Sequence, residues 1–418
     1  MKIRDESLED LPWQSVAVAD EFDGAERGSE RVVALVSVGH EGDALQVCRE
    51  QAVQSELALE QSVGVPALER APSIEEQREA VPGPIPGEGH GSKDTDGGGS
   101  LSSAPILLAV GYHYVSAGPA QKPRAIFPVT VDGLAAQLEL LGRTYEFVSR
   151  DDLLGAVAGE RTLPELCCVV TFDDGLRCQA ELAVPVLDRL GVPAIFFVPG
   201  KPLAEGRALS VHKIHALRER LDDAELLERL AVSADSIDPA VASAHYRYDT
   251  PEAARVKYLL NMALEPAERD AAVDALFAEE IPDEAGFCRE LYMGREDVAA
   301  LRGSIGAHSY GHEPLTMLSP GELDRDLARL TALLEEAAGE PIRTFSYPHG
   351  TPGTVDVRVA RALEAHGFAA AFTMERALNR SLEEPLLLGR LDANDAPGGK
   401  RPLEEIPPAR TRYFDEAA

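Results

Sequence analysis

The sequence from residue 105 onward predicts an α/β fold. Short apolar runs, such as L-C-C-V-V-T-F at 166–172, alternate with amphipathic helical patterns, such as V-D-G-L-A-A-Q-L-E-L-L-G-R at 131–143. Apolar strands that are separated by helices are typical of a parallel sheet. The order therefore predicts a sheet that is covered by helices on both sides or closed into a barrel. In either case, functional residues should gather at the carboxyl ends of the strands.

The predicted elements follow one another in a regular order along the chain. Strands are predicted at 105–113, 166–172, 193–198, 304–309, 344–348 and 368–373. Helices are predicted at 131–143, about 177–190, near 320–338 and near 354–366. A long, mostly helical insertion, about 201–295, interrupts the alternation between the third and fourth strands.

The two ends of the chain are predicted to lie outside the α/β domain, which spans 105–395. Residues 1–104 contain one strand-like run, R-V-V-A-L-V-S-V, and end in a Pro/Gly/Ser-rich stretch that begins V-P-G-P-I-P-G-E-G. Such a stretch is typical of a flexible linker. We therefore expect an N-terminal extension that ends in a linker, and a C-terminal tail over 396–418.

Composition excludes several classes of function. The 418 residues include 71 acidic and 40 basic ones, a net charge of −31, which argues against nucleic-acid binding because phosphates require clustered Lys and Arg. No apolar run approaches the roughly 20 residues that span a bilayer, so no integral membrane segment is expected. The N-terminus lacks the pattern of a secretory signal.

Five cysteines, with Cys167 and Cys168 adjacent in a strand, do not suggest a disulfide framework. We expect a cytoplasmic location.

Two strands end in side chains that are able to bind a cation. Asp173 and Asp174 lie in T-F-D-D-G, and His308 and His312 lie in H-S-Y-G-H. Adjacent carboxylates repel each other at a buried strand end, and a divalent cation would offset that repulsion. One carboxylate with two imidazoles is a common ligand set of catalytic metals. Alone, the first motif is more typical of a helix cap and the second of a surface pair, but their shared placement favours a metal site.

The segment F-S-Y-P-H-G, at 345–350, adds a third motif in the same order. With these three motifs the sequence resembles the polysaccharide deacetylases, carbohydrate esterase family 4, whose shared unit is the NodB-homology domain. The resemblance covers about 105–200 and 296–395, on either side of the insertion. It implies a distorted (β/α) barrel with a helical insertion and an N-terminal extension.

The resemblance also implies a role for each matching residue. Asp173 is expected to be the general base, and Asp174, His308 and His312 to hold a divalent metal, usually zinc. Tyr347 lies in the third motif, where the family uses the backbone N–H together with the metal to stabilise an oxyanion. The expected reaction removes N-acetyl groups from an N-acetylated sugar of a polysaccharide or glycoconjugate. It requires an activated water, a base and a general acid for the departing amine.

The general acid departs from the commonest pattern of the family. The usual final motif, L-x-H, is missing after residue 373, where the chain reads L-G-R-L-D-A-N-D. A branch that deacetylates poly-N-acetylglucosamine instead carries a histidine on the first strand, in Y-H-x-[VI]. Y-H-Y-V at 112–115 matches that pattern. His113 is therefore the expected acid, and a structural histidine is the alternative.

The arginine of the commoner third motif is also missing. Arg390, in L-G-R-L-D, is expected to replace it by pairing with Asp173 and keeping it ionised; a surface salt bridge is the alternative. His212 and His215 in the insertion are expected on a partly exposed helix face, with a place in a substrate groove as the alternative. His349 is either a substrate contact or a structural residue.

Two other functions stay open. The same chemistry on a small non-sugar amide or a formyl group would make the protein a deacylase or deformylase, with the insertion closing the groove into a pocket. A non-catalytic glycan-binding protein on the same fold is the other alternative. The complete set of Asp173, Asp174, His308 and His312 argues against it, since a protein without activity has no need to keep four costly polar groups together.

Overall fold

The structure is a computed structural model that describes residues 105–118 and 128–409. The described residues all fall in one compact unit. The predicted N-terminal extension, 1–104, lies outside the described residues. Within the described part of the chain, no helix has both the length and the apolar character that crossing a bilayer requires.

One parallel sheet forms the centre of the domain. In chain order, the strands are β1 (Ile106–Tyr112), β2 (Val115–Ser116), β3 (Val129–Thr130), β4 (Glu146–Phe147), β5 (Leu166–Phe172), β6 (Ala194–Val198), β7 (Ile305–Ala307), β8 (Thr344–Ser346), β9 (Ala370–Phe372) and β10 (Leu391–Asp392). The main sheet has the order β10–β1–β5–β6–β7–β8–β9, with β4 also paired to β5. Every pair in it is parallel.

The chain after β9 closes this sheet. Leu388 forms a parallel bridge to Phe372 in β9, and Leu391 pairs with Val110 of β1. The segment 388–392 therefore spans the gap between the two edges of the sheet. The distorted (β/α) barrel that the sequence predicts is confirmed.

The central strands are buried on both faces, as their continuous apolar runs predict. In β1, Leu108 belongs to one hydrophobic cluster and Leu107 to another. The same division separates Cys168 from Cys167 in β5. Both thiols are free and fully buried, so these residues contribute to packing on opposite faces of the sheet.

Helices follow most of the strands. In chain order they are α1 (Val131–Leu141), α2 (Arg150–Val157), α3 (Val184–Leu190), α4 (Gly200–Glu205), α5 (Ser210–Arg220), α6 (Asp223–Arg229), α7 (Pro239–His245), α8 (Pro251–Tyr258), α9 (Pro266–Glu280), α10 (Glu284–Leu291), α11 (Arg295–Ala300), α12 (Pro320–Ala338) and α13 (Val357–Ala365). Two π-helical turns, Gln179–Ala183 and Leu259–Ala263, precede α3 and follow α8.

The long helix α12 shows how local sequence sets these bounds. Ser319 caps its first turn in a reciprocal pair with Glu322, and Pro320 occupies the first helical position. Gly339 ends the helix with a left-handed φ of 68°. The leucines at helical spacing are buried on the sheet, namely Leu323, Leu327, Leu330 and Leu334.

The insertion between β6 and β7 has a hydrophobic core of its own. Side chains of α5, α6, α8, α9 and the π-helical turn after α8 form it, including Leu217, Leu260 and Phe277. Lys213 of α5 is almost fully buried, and its ammonium lies 2.6 Å from Asp274 and 2.7 Å from Glu284. The insertion is thus a compact helical unit rather than an extended loop, as the sequence predicts.

Residues just beyond the predicted domain boundary remain in contact with the barrel. Ala396 is fully buried, and Leu403 packs against the main hydrophobic cluster. The main chain of Leu378 pairs with Pro407 and Ala409 at 2.8 and 2.7 Å. The boundary at 395 stays a prediction, and the described part of the tail, 396–409, lies on the barrel.

Gly306, in the middle of β7, leaves no room for a side chain. A Cβ there would lie 2.8 Å from Oγ1 of Thr344 and closer still to the ring of Phe197. We expect Gly306→Ala to lower the free energy of unfolding by about 1–3 kcal/mol, because overpacking displaces buried neighbours. Equilibrium unfolding in urea measures this change.

Gly321→Ala is the matched control, since a Cβ in this first turn of α12 meets only the side chain of Arg325, at 3.5 Å. It should preserve or raise stability by up to ~1 kcal/mol, the helix preference of alanine over glycine. Equal unfolding free energies for the two variants would contradict the packing argument.

Candidate metal centre

The T-F-D-D-G motif forms a tight turn at the carboxyl end of β5. Asp174 and Gly175 both have left-handed backbones, with φ of 76° and 57°. A Cβ on Gly175 would lie 3.1 Å from Cγ1 of Val198. The glycine is therefore needed both for its conformation and for its small size. The turn leaves Asp173 and Asp174 facing the same cavity.

Left-handed backbone is concentrated around this cavity. Five described residues other than glycine have such a φ, and four of them lie on the motif loops: Asp174, Ser309, His312 and His349. Each such residue costs about 1–3 kcal/mol and persists only where its surroundings hold it. One such contact is the hydroxyl of Ser309, which accepts from the N–H of His312 at 2.8 Å. The loop geometry is thus imposed by the fold.

Asp174, His308 and His312 lie together at the base of the cavity. Oδ1 of Asp174 is 3.5 Å from Nε2 of His308 and 3.4 Å from Nε2 of His312. One ligand atom from each residue lies within 4.8 Å of the other two. Nδ1 of His308 donates to the carbonyl of Ser346 at 2.7 Å. A neutral His308 therefore directs the lone pair of Nε2 toward the carboxylate.

This arrangement fits a bound cation. Oδ1 of Asp174 is buried without a hydrogen-bond partner, whereas buried polar atoms are nearly always paired. In its neutral form His308 turns the lone pair of Nε2 toward this oxygen, and two acceptors repel each other unless a positive charge lies between them. Carboxylate oxygen and neutral imidazole nitrogen are ligands of divalent first-row metals, zinc included. The three residues therefore suit a divalent metal.

Asp173 is paired with an arginine from the closing segment of the barrel. Nη1 and Nη2 of Arg390 donate to Oδ1 and Oδ2 of Asp173 at 2.8 and 2.6 Å. Arg390 is fully buried, so this is not the surface salt bridge of the alternative. Burial raises the pKa of the Asp173 carboxyl, but the charge and hydrogen bonds of Arg390, together with the nearby imidazoles of His308 and His113, outweigh burial and lower the pKa to about 2. Gly111 allows the approach, since a Cβ there would lie 3.3 Å from the guanidinium.

One cavity of about 560 Å³ contains these groups, a volume typical of small-molecule sites. All the site residues predicted from the sequence line it, namely His113, Asp173, Asp174, His308, His312, Tyr347 and Arg390. Part of its wall comes from the insertion, through Val211, His215, Tyr246, Lys257 and Asn261. The structure thus brings the predicted residues together, and it adds wall residues from the insertion that the motifs do not indicate.

Tyr347 reaches the cavity, but its main-chain N–H is already engaged. The N–H donates to the carbonyl of Phe372 at 3.1 Å, and the hydroxyl donates to the carbonyl of Leu386 at 2.9 Å. Tyr347 directly follows β8, so its N–H continues the hydrogen bonds between β8 and β9. The expectation that this N–H is available to an oxyanion is corrected accordingly.

His113 is half-buried at the end of β1. Its carbonyl accepts from the side-chain amide of Gln179 at 3.0 Å, and the same amide also donates to the carbonyl of Asp173. Gln179 therefore links the strand ends that carry His113 and Asp173. His349 packs edge-to-face on His312, with ring centroids 5.1 Å apart.

His212 is the functional candidate that the sequence does not reveal. It was expected on a partly exposed helix face, but it is 1% exposed. Its Nε2 lies 3.2 Å from Oδ2 of Asp174, and its Nδ1 contacts the hydroxyl of Tyr292. The expectation is wrong because the insertion folds onto the strand ends. His215, one turn further along α5, lines the cavity as the alternative expectation has it, with Nδ1 3.3 Å from the hydroxyl of Tyr114.

Solved structures resemble this chain at low identity. A deacetylase of Streptococcus pyogenes, PplD in complex with acetate, is 12% identical with a TM-score of 0.43, over 69% of this chain and 92% of that one. IcaB from Ammonifex degensii is 20% identical with a TM-score of 0.42, over 69% and 91%. A de-N-acetylase from Aggregatibacter actinomycetemcomitans is 17% identical with a TM-score of 0.41, over 68% and 94%. No curated protein matches the chain.

A family model described as polysaccharide deacetylase matches residues 296–371. That segment contains H-S-Y-G-H and F-S-Y-P-H-G, and hence His308, His312 and Tyr347, whereas Asp173 and Asp174 precede it. The resemblance to the polysaccharide deacetylases that the sequence predicts is therefore confirmed, and residues 296–371 are the segment that is similar to that family.

Proposed function

We propose that the protein is a metal-dependent hydrolase that removes N-acetyl groups from an N-acetylated sugar of a polysaccharide or glycoconjugate. One observation carries the proposal. Oδ1 of Asp174 is buried and unpaired, it faces the imidazoles of His308 and His312, and the neighbouring Asp173 opens onto the same cavity. The family match over 296–371 supports the same chemistry.

Asp174, His308 and His312 are the residues that would hold the divalent metal. When bound, such a cation supplies polarisation of the amide carbonyl and lowers the pKa of water from about 15.7 toward roughly 7. Asp173 is then the group that accepts the proton of the attacking water. Its low pKa keeps it ionised throughout the neutral range, and Arg390 and Ser346 fix its orientation.

His113 is the proposed general acid, because the departing amine must receive a proton. Its side chain lines the same cavity as Asp173, and its charge, when protonated, helps to lower the pKa of that carboxyl. Acid and base therefore open onto one cavity, from the ends of the adjacent strands β1 and β5. With its N–H engaged in the sheet, Tyr347 is assigned only to the cavity wall.

Polar groups on the insertion side of the cavity suit a polar substrate. On the insertion side, the ammonium of Lys257 lies 2.8 and 2.9 Å from the two carboxylate oxygens of Asp249, and Asn261 donates to the hydroxyl of Tyr246. Such groups can exchange hydrogen bonds with sugar hydroxyls. Because the insertion forms part of the cavity wall, we also consider a second candidate function, a deacylase or deformylase of a small non-sugar amide.

Acetate release from a panel of N-acetylated compounds tests the proposal. We expect release from N-acetylglucosamine oligomers, loss of that release with a chelator, and recovery with added zinc. Simple N-acetyl and N-formyl amides in the same panel test the second candidate. Faster turnover of those amides than of any sugar would favour it, and glycan binding without release under all metal conditions would indicate the non-catalytic alternative.

The two adjacent aspartates should respond differently to the same substitution. Asp173→Asn removes the base, so we expect kcat to fall about 10²–10⁴-fold with zinc affinity preserved. Asp174→Asn removes a charged ligand, so zinc affinity itself should fall. Steady-state kinetics and zinc titration of both variants separate the two roles. Full turnover by Asp173→Asn would contradict its assignment as the base.

The ion pair of Arg390 and Asp173 predicts a pH-dependent stability difference. The pKa of Asp173 is lowered from 3.8 to about 2 in the folded protein, so its contribution is complete above about pH 4 and is lost as pH falls through 2. Arg390→Gln leaves a buried carboxylate unpaired, and we expect it to cost about 3–5 kcal/mol of unfolding free energy at pH 7. In the variant, burial without Arg390 raises the pKa of Asp173, so the carboxyl takes up a proton as pH falls. Protonation removes the unpaired charge, and the cost should therefore shrink on acidification.

Urea unfolding of wild type and variant from pH 3 to pH 7 provides the measurement. Arg376→Gln is the matched control, since Arg376 lies outside the cavity and its buried partner Asp395 keeps an ion pair with Arg247 at 2.9 Å. A stability loss in Arg390→Gln that is the same at every pH would contradict the assignment.

A further inference from the structure

We infer that His212, a residue of the insertion, positions the metal ligand Asp174. The insertion then completes the metal centre as well as lining the cavity. This inference rests on the metal site of the proposed function. It concerns a residue that none of the three motifs contains, on an element that interrupts the domain.

His212 belongs to a chain of hydrogen bonds that has one direction. The N–H of Leu209 donates to the hydroxyl of Tyr292 at 3.0 Å. Burial raises the pKa of Tyr292 well above its ordinary value, so the hydroxyl keeps its proton and donates it to Nδ1 of His212. A neutral His212 then carries its proton on Nε2, which donates to Oδ2 of Asp174 at 3.2 Å.

The two oxygens of Asp174 therefore have different surroundings. Oδ2 accepts from His212, whereas Oδ1 has no hydrogen-bond partner and faces His308 and His312. A carboxylate that is held through one oxygen presents the other in a fixed direction. Partners of this kind, which bind a ligand and not the metal, commonly contribute 10–100-fold to metal affinity.

The insertion also holds the main chain that carries Asp174. The N–H of Met293 donates to the carbonyl of Gly175 at 2.8 Å, and Leu176 forms an antiparallel bridge with Tyr292. His212 comes from α5 and Tyr292 follows α10, so the two ends of the insertion meet at this turn. Tyr292 is 4% exposed, so the chain of hydrogen bonds is closed to solvent.

Zinc affinity in the absence of substrate tests the inference. Competition with a chromophoric chelator measures the Kd of the whole chain for zinc. His212→Phe keeps the bulk of the ring and removes the donor, and we expect its Kd to rise about 10–100-fold. His212→Gln can place an amide N–H near the position of Nε2 and should recover most of the affinity. Tyr292→Phe removes the hydroxyl that fixes the proton on Nε2 and should show a smaller loss.

His245→Phe is the matched control in the same insertion. Its ring packs on Tyr246 and Tyr258 and has no contact with Asp174, so zinc affinity should stay at the wild-type value. Circular dichroism and thermal unfolding of the metal-free proteins check that each variant is folded.

Two results would overturn the positioning role. One is wild-type affinity in a folded His212→Phe variant, and the other is a loss in His212→Gln as large as that in His212→Phe. If His212→Phe does not fold, wild-type affinity in Tyr292→Phe overturns the role instead. Failure of the wild-type protein to bind zinc is a separate outcome, and it would overturn the metal site of the proposed function.

Discussion

The arrangement of the cavity depends on how one turn accommodates two adjacent carboxylates. Asp173 is neutralised by Arg390, and Asp174 is surrounded by imidazoles. The two acids therefore differ, because one has both oxygens satisfied and the other keeps a single oxygen without a partner. A charge that is buried without a partner costs several kcal/mol. The stability of the turn therefore depends on the elements that supply the partners. These elements are the closing segment 388–392, the end of β7 with the loop that follows it, the end of β8, and the insertion.

The insertion shows that a segment which interrupts a domain in sequence can be integral to it in space. Its helices pack around a hydrophobic core of their own, which includes Leu217 and Phe277, as the helices of a separate domain do. Nevertheless, its two ends meet the turn after β5, through His212 on one side and Tyr292 on the other. A small buried network of this kind orders the turn, because successive hydrogen bonds join Tyr292 to His212 and His212 to Oδ2 of Asp174.

The parts of this site that could be predicted are those fixed by strand order. Continuous apolar runs predict buried parallel strands, and parallel strands bring their carboxyl ends together, so Asp173, Asp174, His308 and His312 are found side by side. His212 could not be found in this way, because V-H-K-I-H has only helical spacing and nothing local indicates where the helix folds. The engaged N–H of Tyr347 was missed for a related reason, since the hydrogen bonds of a residue at a strand end depend on how far the neighbouring strand extends.

The position of Arg390 has a consequence for synthesis of the protein. Asp173 and its counter-ion Arg390 are 217 residues apart, and the arginine lies in the last segment that closes the barrel. While the ribosome is still adding that segment, the nascent chain holds Asp173 without its partner, so the cavity cannot reach its final charge balance. Contacts of such long sequence separation form late. The charge balance of the turn after β5 is therefore completed only when translation of the domain is almost finished.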